Sequence, residues 1–503
     1  MNQHPHARIT TLGELLKTSY RPRTVKDEMR DNLVALLKSG KRRFPGIHGF
    51  EDTVLPDLER AILSRHNIIL LGLRGQAKTR IARLLLDLLD EWVPAVDGTE
   101  LMDDPLQPIS REARDLLAAH GNETPIRWVH RSERYTEKLA TPDVSVADLI
   151  GDVDPIKAAN RKLSYSDERV IHFGLVPRAH RGLFVINELP DLQPRIQVAL
   201  FNILQEGDIQ IRGFKLRLPL DVQFVFTANP EDYTNRGSIV TPLKDRIESQ
   251  ILTHYPKSLE TSRLISDQEA NPAAAQLERV ALHPIALDLI EQIALEARES
   301  ELVDAKSGVS ARMTISAREN LISAAERRAL LSGETNTMVR VADFWGVIPA
   351  ITGKVELVYE GEQEGPYLVA LTLLGKAIRK QFIQYFPNPE NLKKIRKKEG
   401  KQADPYAGVA AWFGEGNTVD VFHDMDDKAY RASIDAVPGL DDILDRYFHQ
   451  ASNGSDRYFL KEFLLHGLAE YSLVSKHLVE SGTRFSDLLS SMLSGKTVDE
   501  EDY

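Results

Sequence analysis

Residues 68–79 read Ile68-Ile69-Leu70-Leu71-Gly72-Leu73-Arg74-Gly75-Gln76-Ala77-Lys78-Thr79. The four apolar residues at the start are too few for a typical helix, so they predict a buried strand. Apolar residues then recur at helical spacing and predict a helix that ends before Pro94; they are Ile81, Leu84, Leu85, Leu88 and Leu89. A strand, a glycine-containing loop and a helix in this order present unpaired N–H groups and the positive end of a helix dipole to the loop. The stretch therefore predicts a site for phosphate groups.

Two polar residues close this loop and suit it to a nucleotide. Lys78 can reach the β- and γ-phosphates, and the hydroxyl of Thr79 can bind Mg²⁺. The sequence departs from the strict phosphate-loop pattern at Ala77, which stands where a second glycine is expected. Because alanine adds only a methyl group, a helical conformation is possible at this residue. The alternative is an ordinary strand–helix turn that carries a lysine by chance.

The composition restricts the class of protein. The chain has 503 residues, of which 42% are hydrophobic and 27% charged, as is typical of globular proteins. The formal net charge of −11 makes a general nucleic-acid or anionic-membrane binder unexpected. The absence of cysteine excludes disulfides and zinc–thiolate sites. Because we find neither the apolar core of a signal peptide nor a run near the ~20 apolar residues that span a bilayer, we expect a cytoplasmic protein.

Two further apolar runs predict strands of the same sheet, at residues 183–186 and 222–228. Helical stretches separate these runs, and alternating strands and helices indicate a mostly parallel sheet covered on both faces. Ligands of such sheets bind beyond the carboxyl ends of the strands. Glu188 and Asn229 follow these two strands, as Lys78 follows the first, so the three side chains are expected to meet at one site.

Each of these polar residues has a chemical role and a plainer alternative. Glu188 can orient and polarise an attacking water. Asn187, which has no charge, can bind Mg²⁺ through a water molecule, but more weakly than an aspartate would. Asn229 can hold the water or the γ-phosphate from the side. The alternatives are a strand that merely ends in polar residues and, for Asn229, a turn before Pro230.

Arginines can neutralise the charge of a phosphoryl group during transfer, and two stand out. Arg246 lies in the stretch 241–246 that begins a short predicted helix, and Arg312 lies in the helical part of the chain. Arg318 is an alternative to Arg312, because Ser-Ala-Arg occurs at 310–312 and again at 316–318.

The sequence also predicts a division of the chain. After about residue 256 the pattern becomes helical, and Ser316 with Glu319 forms a capping-box signature that predicts a helix start there. We expect an arm that covers a neighbouring domain or subunit, a sheet domain, a helical lid and a mainly helical region of unknown role. Their expected bounds are 1–45, 46–255, 256–360 and 361–503.

In this order, the motifs resemble those of an AAA+ ATPase. Residues 72–79 would be its Walker A motif and residues 183–188 its Walker B motif. Asn229 would be sensor 1, Arg246 the arginine finger and Arg312 sensor 2.

Further details resemble the AAA+ clade of MoxR proteins and the magnesium chelatase motor subunit. The Ala-Lys-Thr ending of the loop is similar to the MoxR branch. A predicted hairpin at 209–218 and a possible insert at 156–172 precede the sensor 1 and Walker B strands, as in that clade. Thr-Ala-Asn-Pro at 227–230 and Leu-Lys-Asp-Arg at 243–246 match its motifs.

The resemblance covers about residues 40–350. It implies an αβα core with a parallel sheet, an all-helical lid, and ATP with Mg²⁺ as ligands. It also implies a homo-oligomeric ring, usually a hexamer, in which Arg246 acts on the neighbour's nucleotide, and a partner with a von Willebrand factor A domain. Thr79 and Asn187 would serve the metal, although Asn187 departs from the usual aspartate, which puts the hydrolysis rate in doubt. Nucleotide-binding residues would be Ile47, near adenine, and Gly72, Gly75, Gln76, Ala77, Lys78, Thr79 and Arg80.

Three functions stay open from the sequence. The first is an ATP-driven motor that remodels or activates a partner protein or complex. The second is the motor of a chelatase that inserts Mg²⁺ or Co²⁺ into a tetrapyrrole, and the third is a nucleotide-gated scaffold with little hydrolysis, which Asn187 favours. A transcription activator of the enhancer-binding type is not expected, because the Gly-Ala-Phe-Thr-Gly-Ala loop of that class is absent.

Overall fold

The computed structural model describes residues 8–164, 167–209, 211, 218–230, 238–391, 404–448, 454–479 and 482–488. The chain forms two compact units, Met1–Tyr255 and Pro256–Tyr503. Helices of the first unit are α1 (Leu12–Leu16), α2 (Val25–Ser39), α3 (Val54–Leu63), α4 (Lys78–Leu84), α5 (Arg111–His120), α6 (Val146–Leu149), α7 (Pro155–Arg161), α8 (Leu175–Arg178), α9 (Pro194–Ala199), α10 (Phe201–Glu206) and α11 (Thr241–Asp245). Its strands are β1 (Ile68–Leu71), β2 (Trp92–Val96), β3 (Ile126–His130), β4 (Tyr135–Leu139), β5 (Gly151–Val153), β6 (Ile171–Phe173), β7 (Gly182–Asn187), β8 (Val222–Ala228) and β9 (Ser249–Leu252).

A five-stranded parallel sheet in the order β4-β7-β8-β1-β9 is the centre of the first unit. Its inner strands are apolar on both faces because both faces are covered. On one face Leu70 and Val225 pack with Ile81 of α4, and on the other Ile69 and Phe226 belong to a second apolar cluster. The predicted α/β fold with a parallel sheet is therefore confirmed, and the carboxyl ends of all five strands lie at one edge.

Five of the first unit's strands were not predicted, namely β2, β4, β5, β6 and β9, and β5 and β6 are only three residues long. The edge strands β4 and β9 of the central sheet are short and carry polar residues, and β2, which pairs with β3, contains Pro94. The predicted helix after the loop is shorter than expected: α4 ends at Leu84 and a tighter 3₁₀ turn continues to Leu88.

The described part of the N-terminal arm belongs to the first unit itself. Val25, Met29 and Leu33 of α2 are buried in the same apolar cluster as β1 and α4. Glu28 of α2 forms a bidentate ion pair with Arg134, with both N–O distances 2.7 Å and both side chains almost fully buried.

The second unit is mainly helical. Its helices are α12 (Leu259–Glu269), α13 (Ala274–Arg279), α14 (Pro284–Glu299), α15 (Arg312–Leu331), α16 (Ile348–Thr352), α17 (Tyr359–Glu364), α18 (Pro366–Tyr385), α19 (Ala407–Gly414), α20 (Asp427–Asp435), α21 (Leu440–Tyr447) and α22 (Ser455–Glu470). Its strands are β10 (Val280–Ala281), β11 (Thr337–Met338), β12 (Val419–Phe422), β13 (Ser475–Val479) and β14 (Gly482–Ser486), of which the last three form an antiparallel sheet. One apolar core joins α14, α18 and α22. The finer boundaries at residues 45 and 360 stay predictions.

The predicted start of α15 at Ser316 is wrong. The helix begins at Arg312, whose backbone N–H donates to the Ser310 hydroxyl at 3.1 Å, so Ser316 lies within the helix. The carboxylate of Glu319, which the capping box would have used, instead accepts the backbone N–H of Asn271 at 3.0 Å.

Most of the predicted hairpin at 209–218 lies outside the described residues. Immediately around it, Asp208 and Pro219 form an antiparallel bridge. Whether residues 156–172, which include α7, are an insert also stays a prediction. Among the described residues, the structure has no helix that is long and apolar enough to cross a membrane.

Candidate nucleotide-binding site

The loop at residues 72–79 leaves the sheet at its carboxyl edge. The N–H of Gly72 donates to the carbonyl of Ala228 at 3.2 Å, which fixes the start of the loop beside the end of β8. Lys78 is the first residue of α4, and its ammonium donates to the carbonyls of Gly72 at 2.5 Å and Leu73 at 3.0 Å. The lysine is thus folded into the loop beside the start of α4, the positive end of the helix dipole, where an anion is stabilised.

Ala77 has a left-handed backbone conformation, with φ of 56° and ψ of 15°. It does not adopt the helical conformation that its small side chain would allow. A Cβ is unfavourable in this region, which is why a glycine is the usual residue at such a turn. The methyl group therefore adds backbone strain at the point where the loop becomes α4.

Two residues that follow β9 hold the loop in shape, and the sequence analysis missed both. The hydroxyl of Thr253 donates to the side-chain oxygen of Gln76 at 2.7 Å, and the phenol of Tyr255 donates to the carbonyl of Arg74 at 2.9 Å. A Cβ at Gly72 would lie 1.9 Å from the Thr253 hydroxyl and 2.2 Å from the Gln76 oxygen, so only glycine fits there. The signal that could have found these residues is a polar side chain directly after a strand, but β9 itself had not been predicted.

The strand order brings the other predicted residues to the same edge. Because β8 lies between β7 and β1, the ends of β7 and β1 are roughly 10 Å apart, twice the usual strand spacing. Asn229 directly follows β8 and is 4% exposed. Glu188 follows β7 with a left-handed backbone, φ 54°, and its N–H donates to the Thr227 hydroxyl at 3.2 Å. Strained residues of this kind are concentrated at functional sites.

Asn187 lies in a row of polar side chains that crosses three neighbouring strands. Its amide nitrogen donates to Glu137 of β4 at 2.5 Å, and its oxygen accepts from the hydroxyl of Thr227 of β8 at 3.2 Å. Glu137 also accepts from Arg83 of α4 at 3.1 Å and from the phenol of Tyr135 at 2.9 Å. Burial and the contact with Glu137 raise the pKa of the Tyr135 phenol, so it stays a hydrogen-bond donor.

The donor set fits Mg²⁺ only as a partner of phosphate groups. Among the described residues no three His, Cys, Asp or Glu side chains form a group that could hold a metal ion. Mg²⁺ characteristically keeps several waters and binds through one or two protein oxygens plus substrate phosphates. Thr79, Glu188 and the Asn187 oxygen are the groups at this edge that could serve such an ion, directly or through water. When bound, the ion would neutralise charge on the phosphates.

Arg246 follows α11 and is held by α10. Its guanidinium donates to the side-chain oxygen of Gln205 at 2.8 and 3.1 Å and to the carbonyl of Pro242 at 2.7 Å. It also stacks 4.9 Å from the ring centre of Phe201. These contacts fix the guanidinium at the surface of the first unit. Its predicted action on a neighbouring subunit is not tested by a single chain.

The remaining predicted residues are placed as follows. Ile47 is buried in the apolar cluster that contains β1 and α4, while Arg80 is half-buried on the first turn of α4. Arg312 is exposed at the first residue of α15 in the second unit. Arg318, the alternative, is engaged with Asp267. The sensor and adenine-binding roles of these residues stay predictions.

Part of the first unit is similar to known proteins. Residues 160–251, which contain β7, β8 and α11, match the family model "Sigma-54 interaction domain". The chain is 26% identical over 202 residues to the magnesium-chelatase 38 kDa subunit of Cereibacter sphaeroides, covering 39% of this chain and 53% of that subunit. It is 28% identical over 264 residues to the same subunit of Rhodobacter capsulatus, covering 51% of this chain and 68% of the relative.

A solved structure of the complex between BchI and BchD of magnesium chelatase is also similar. It is 22% identical, with a TM-score of 0.32, and the match covers 64% of this chain and 98% of that one. The chain spans about half the length of the first chelatase relative and about two thirds of the second. The family model covers β7 and β8 of the sheet, and together with the two chelatase relatives it supports an AAA+ ATPase of the magnesium chelatase clade.

Proposed function

We propose that this chain is an ATP-hydrolysing motor that drives a change in a partner protein or complex. The observation that supports it is the placement of the Lys78 loop, Glu188 and Asn229 at one edge of the sheet. Lys78 binds the β- and γ-phosphates, Glu188 orients the attacking water, and Asn229 holds the water or the γ-phosphate from the side. The products are ADP and phosphate.

The motor acts as a homo-oligomeric ring, with six subunits as the expected number. Arg246 completes the site of the adjacent subunit, where its guanidinium neutralises charge on the phosphoryl group. Its contacts with Gln205 and Phe201 support this role, because they hold the charge in place at the surface. Arg312 reports the nucleotide state to the second unit, and the partner carries a von Willebrand factor A domain. A cytoplasmic location and a MoxR-like mode of action complete the proposal.

The test separates nucleotide binding from hydrolysis. We expect Lys78→Ala to abolish binding of a fluorescent ATP analogue. Glu188→Gln should bind the analogue normally but hydrolyse ATP more slowly by about 10² or more, the usual contribution of a general base. Glu206→Gln, which changes an exposed carboxylate on α10, is the matched control and should behave like wild type. Normal binding by Lys78→Ala would overturn the proposal.

A chelatase motor is the second candidate, and the similarity to the 38 kDa chelatase subunits favours it. In this case the purified chain, together with the proteins encoded beside its gene, should support ATP-dependent insertion of Mg²⁺ or Co²⁺ into a tetrapyrrole. If the chain hydrolyses ATP but supports no metal insertion, the chelatase function is excluded and the motor acting on another partner is favoured.

A nucleotide-gated scaffold is the third candidate, and the missing charge at Asn187 favours it. A scaffold would show equal, near-zero ATPase rates for wild type and Glu188→Gln in the assembled state, with intact nucleotide binding. A large difference between these two rates would exclude it.

A further inference from the structure

Residue 187 ends the strand where a nucleotide-hydrolysing site of this kind commonly supplies an aspartate for Mg²⁺. Here it is an asparagine, and the nearest carboxylate belongs to Glu137 on the neighbouring strand β4. Leu183 and Val185 pack on the α4 side of the sheet, and side chains alternate along a strand, so Asn187 lies on that side too. The carboxylate of Glu137 therefore lies on the same face of the sheet as Asn187, on the neighbouring strand.

The chemistry of the contact fixes the direction of the Asn187 amide. An ionised carboxylate only accepts hydrogen bonds, so the NH₂ group must face Glu137, at 2.5 Å. The amide oxygen then faces Thr227, which donates to it at 3.2 Å. An amide oxygen has two lone pairs, so it retains one for a water bound to a metal ion.

Glu137 also connects α4, the helix that follows the loop at residues 72–79, to the end of β7, which Glu188 follows. On one side Arg83, five residues after Lys78 along the chain, donates to Glu137 from α4 at 3.1 and 3.2 Å. On the other side the row continues through Asn187 to Thr227, whose hydroxyl accepts the N–H of Glu188. The arginine is 64% exposed and the glutamate 22%, so water screens the ion pair more than it screens the buried end of the row.

We propose that Glu137 is a positioning residue of the nucleotide site, which holds the Asn187 amide with its oxygen turned inward and, through Thr227, orients Glu188. Residues 137 and 187 thus act as a matched pair, with the charge on 137 and the amide on 187. The inference rests on the proposed function, because it gives the pair a nucleotide and Mg²⁺ to serve.

The pairing of Glu137 with Asn187 predicts the effect of replacing Asn187 by aspartate. Asn187→Asp alone would place two carboxylates in contact, and such a pair cannot keep both charges without cost, so the pKa of one rises. The folded protein would then bind a proton that the unfolded chain does not, and its stability would fall as the pH rises. Asn187→Asp with Glu137→Gln restores one charge and one amide, with their places exchanged.

The first experiment measures thermal unfolding without nucleotide. We expect Asn187→Asp to lower Tm by about 5 °C near pH 8 and by less than half as much near pH 5.5, where the pair shares a proton. The exchanged pair, Asn187→Asp with Glu137→Gln, should return to within about 2 °C of wild type at both pH values. Glu137→Gln alone completes the set, and Glu133→Gln, which changes an exposed carboxylate just before β4, is the control for its loss of a negative charge.

The second experiment measures binding of a fluorescent ATP analogue with and without Mg²⁺. Glu137→Leu should reduce the tightening caused by Mg²⁺ about tenfold and leave Mg²⁺-free binding within about twofold of wild type. A purely structural role would weaken both kinds of binding together. The exchanged pair should keep the Mg²⁺ response, which provides a readout if Glu137→Leu does not fold.

Three results would overturn the inference: a Tm of Asn187→Asp equal to wild type at both pH values, additive effects of the two exchange substitutions, or equal weakening of binding with and without Mg²⁺ by Glu137→Leu. Failure of the proposed function is distinguishable, since it would appear as normal nucleotide binding by Lys78→Ala. The pH dependence of the 137–187 pair would be measured unchanged in that case.

Discussion

At the scale of single residues, Ala77 has a backbone conformation that its side chain disfavours. Ala77→Gly removes the Cβ from a left-handed position, so we expect the free energy of unfolding in urea to rise by roughly 0.5–1 kcal/mol. Ala82→Gly is the matched control, because Ala82 lies within α4 in ordinary helical geometry. It should lower the free energy of unfolding by about 1 kcal/mol. Destabilisation by Ala77→Gly would contradict the left-handed conformation.

Thr253 supplies a prediction about the shape of the loop. Thr253→Val keeps the volume but removes the hydroxyl that donates to Gln76. We expect the affinity for nucleotide to fall about tenfold, the value of one lost hydrogen bond, as measured by titration with a fluorescent analogue. Thr136→Val, on β4 of the same sheet, should leave it unchanged. Equal affinity of Thr253→Val and wild type would show that the loop does not depend on this hydroxyl.

Single residues also show where the sequence was informative. Lys78, Glu188 and Asn229 could be found because each follows an apolar run that could only be a buried strand. Glu137 and Thr253 could not be found from the sequence. Glu137 lies on β4 and Thr253 follows β9, and both strands are short, carry polar residues and lie at the edges of the sheet. Their importance depends on which strand lies beside which, and that order is not written in local sequence.

At the scale of elements, α2 is attached to the sheet by Asp221. This carboxylate, next to β8, accepts the first N–H of α2, from Val25, at 2.7 Å. Burial raises the pKa of Asp221 to about 6, although Val25 and the nearby Arg181 and Arg134 oppose the shift. Because the folded pKa lies above the unfolded one, the carboxyl group favours folding most at low pH. Its contribution declines as the pH rises through about 6.

Asp221→Asn tests this dependence, because the amide oxygen can still accept from Val25. Between about pH 4 and pH 7 wild type should lose about 1–3 kcal/mol of unfolding free energy relative to the variant. His180, whose pKa burial lowers to about 3, has the opposite pH dependence in both proteins, so the difference between them isolates Asp221. Urea unfolding at several pH values provides the measurement, and parallel curves would contradict the assignment.

Elements were predicted well where one pattern dominated and poorly where two competed. The helix α14 follows from its apolar repeat, whereas the capping-box signature at Ser316 predicted a start of α15 later than the observed one at Arg312. The hydroxyl of Ser310 accepts the backbone N–H of Arg312, the first residue of the helix. The carboxylate of Glu319, which a start at Ser316 would need, instead accepts the backbone N–H of Asn271. The choice thus depended on a tertiary contact outside the helix.

At the scale of the whole molecule, the proposed ring can be tested by mixing two inactive variants. Lys78→Ala lacks a working loop but retains Arg246, and Arg246→Ala has the reverse defect. If each site is completed by the adjacent subunit, random mixing in equal amounts makes about a quarter of the interfaces productive. We therefore expect the mixture to regain roughly a quarter of the wild-type ATPase rate, although each variant alone is nearly inactive.

Mixing has its own control. Lys78→Ala mixed with Glu188→Gln should regain nothing, because both defects lie on the loop side of the interface. Equal activity of this mixture and the first would contradict the placement of Arg246 in the neighbour's site. Normal ATPase activity of Arg246→Ala alone would exclude it as the finger.

The two side chains that brace the loop from behind, Thr253 and Tyr255, are the third-last and last residues of the first unit. Anyone who shortens this chain to study the ATPase part by itself would be tempted to stop at Leu252, where the final strand of the sheet ends. That cut would leave the strands intact and discard both braces. A useful truncation has to run through Tyr255, even though its last three residues belong to no strand or helix.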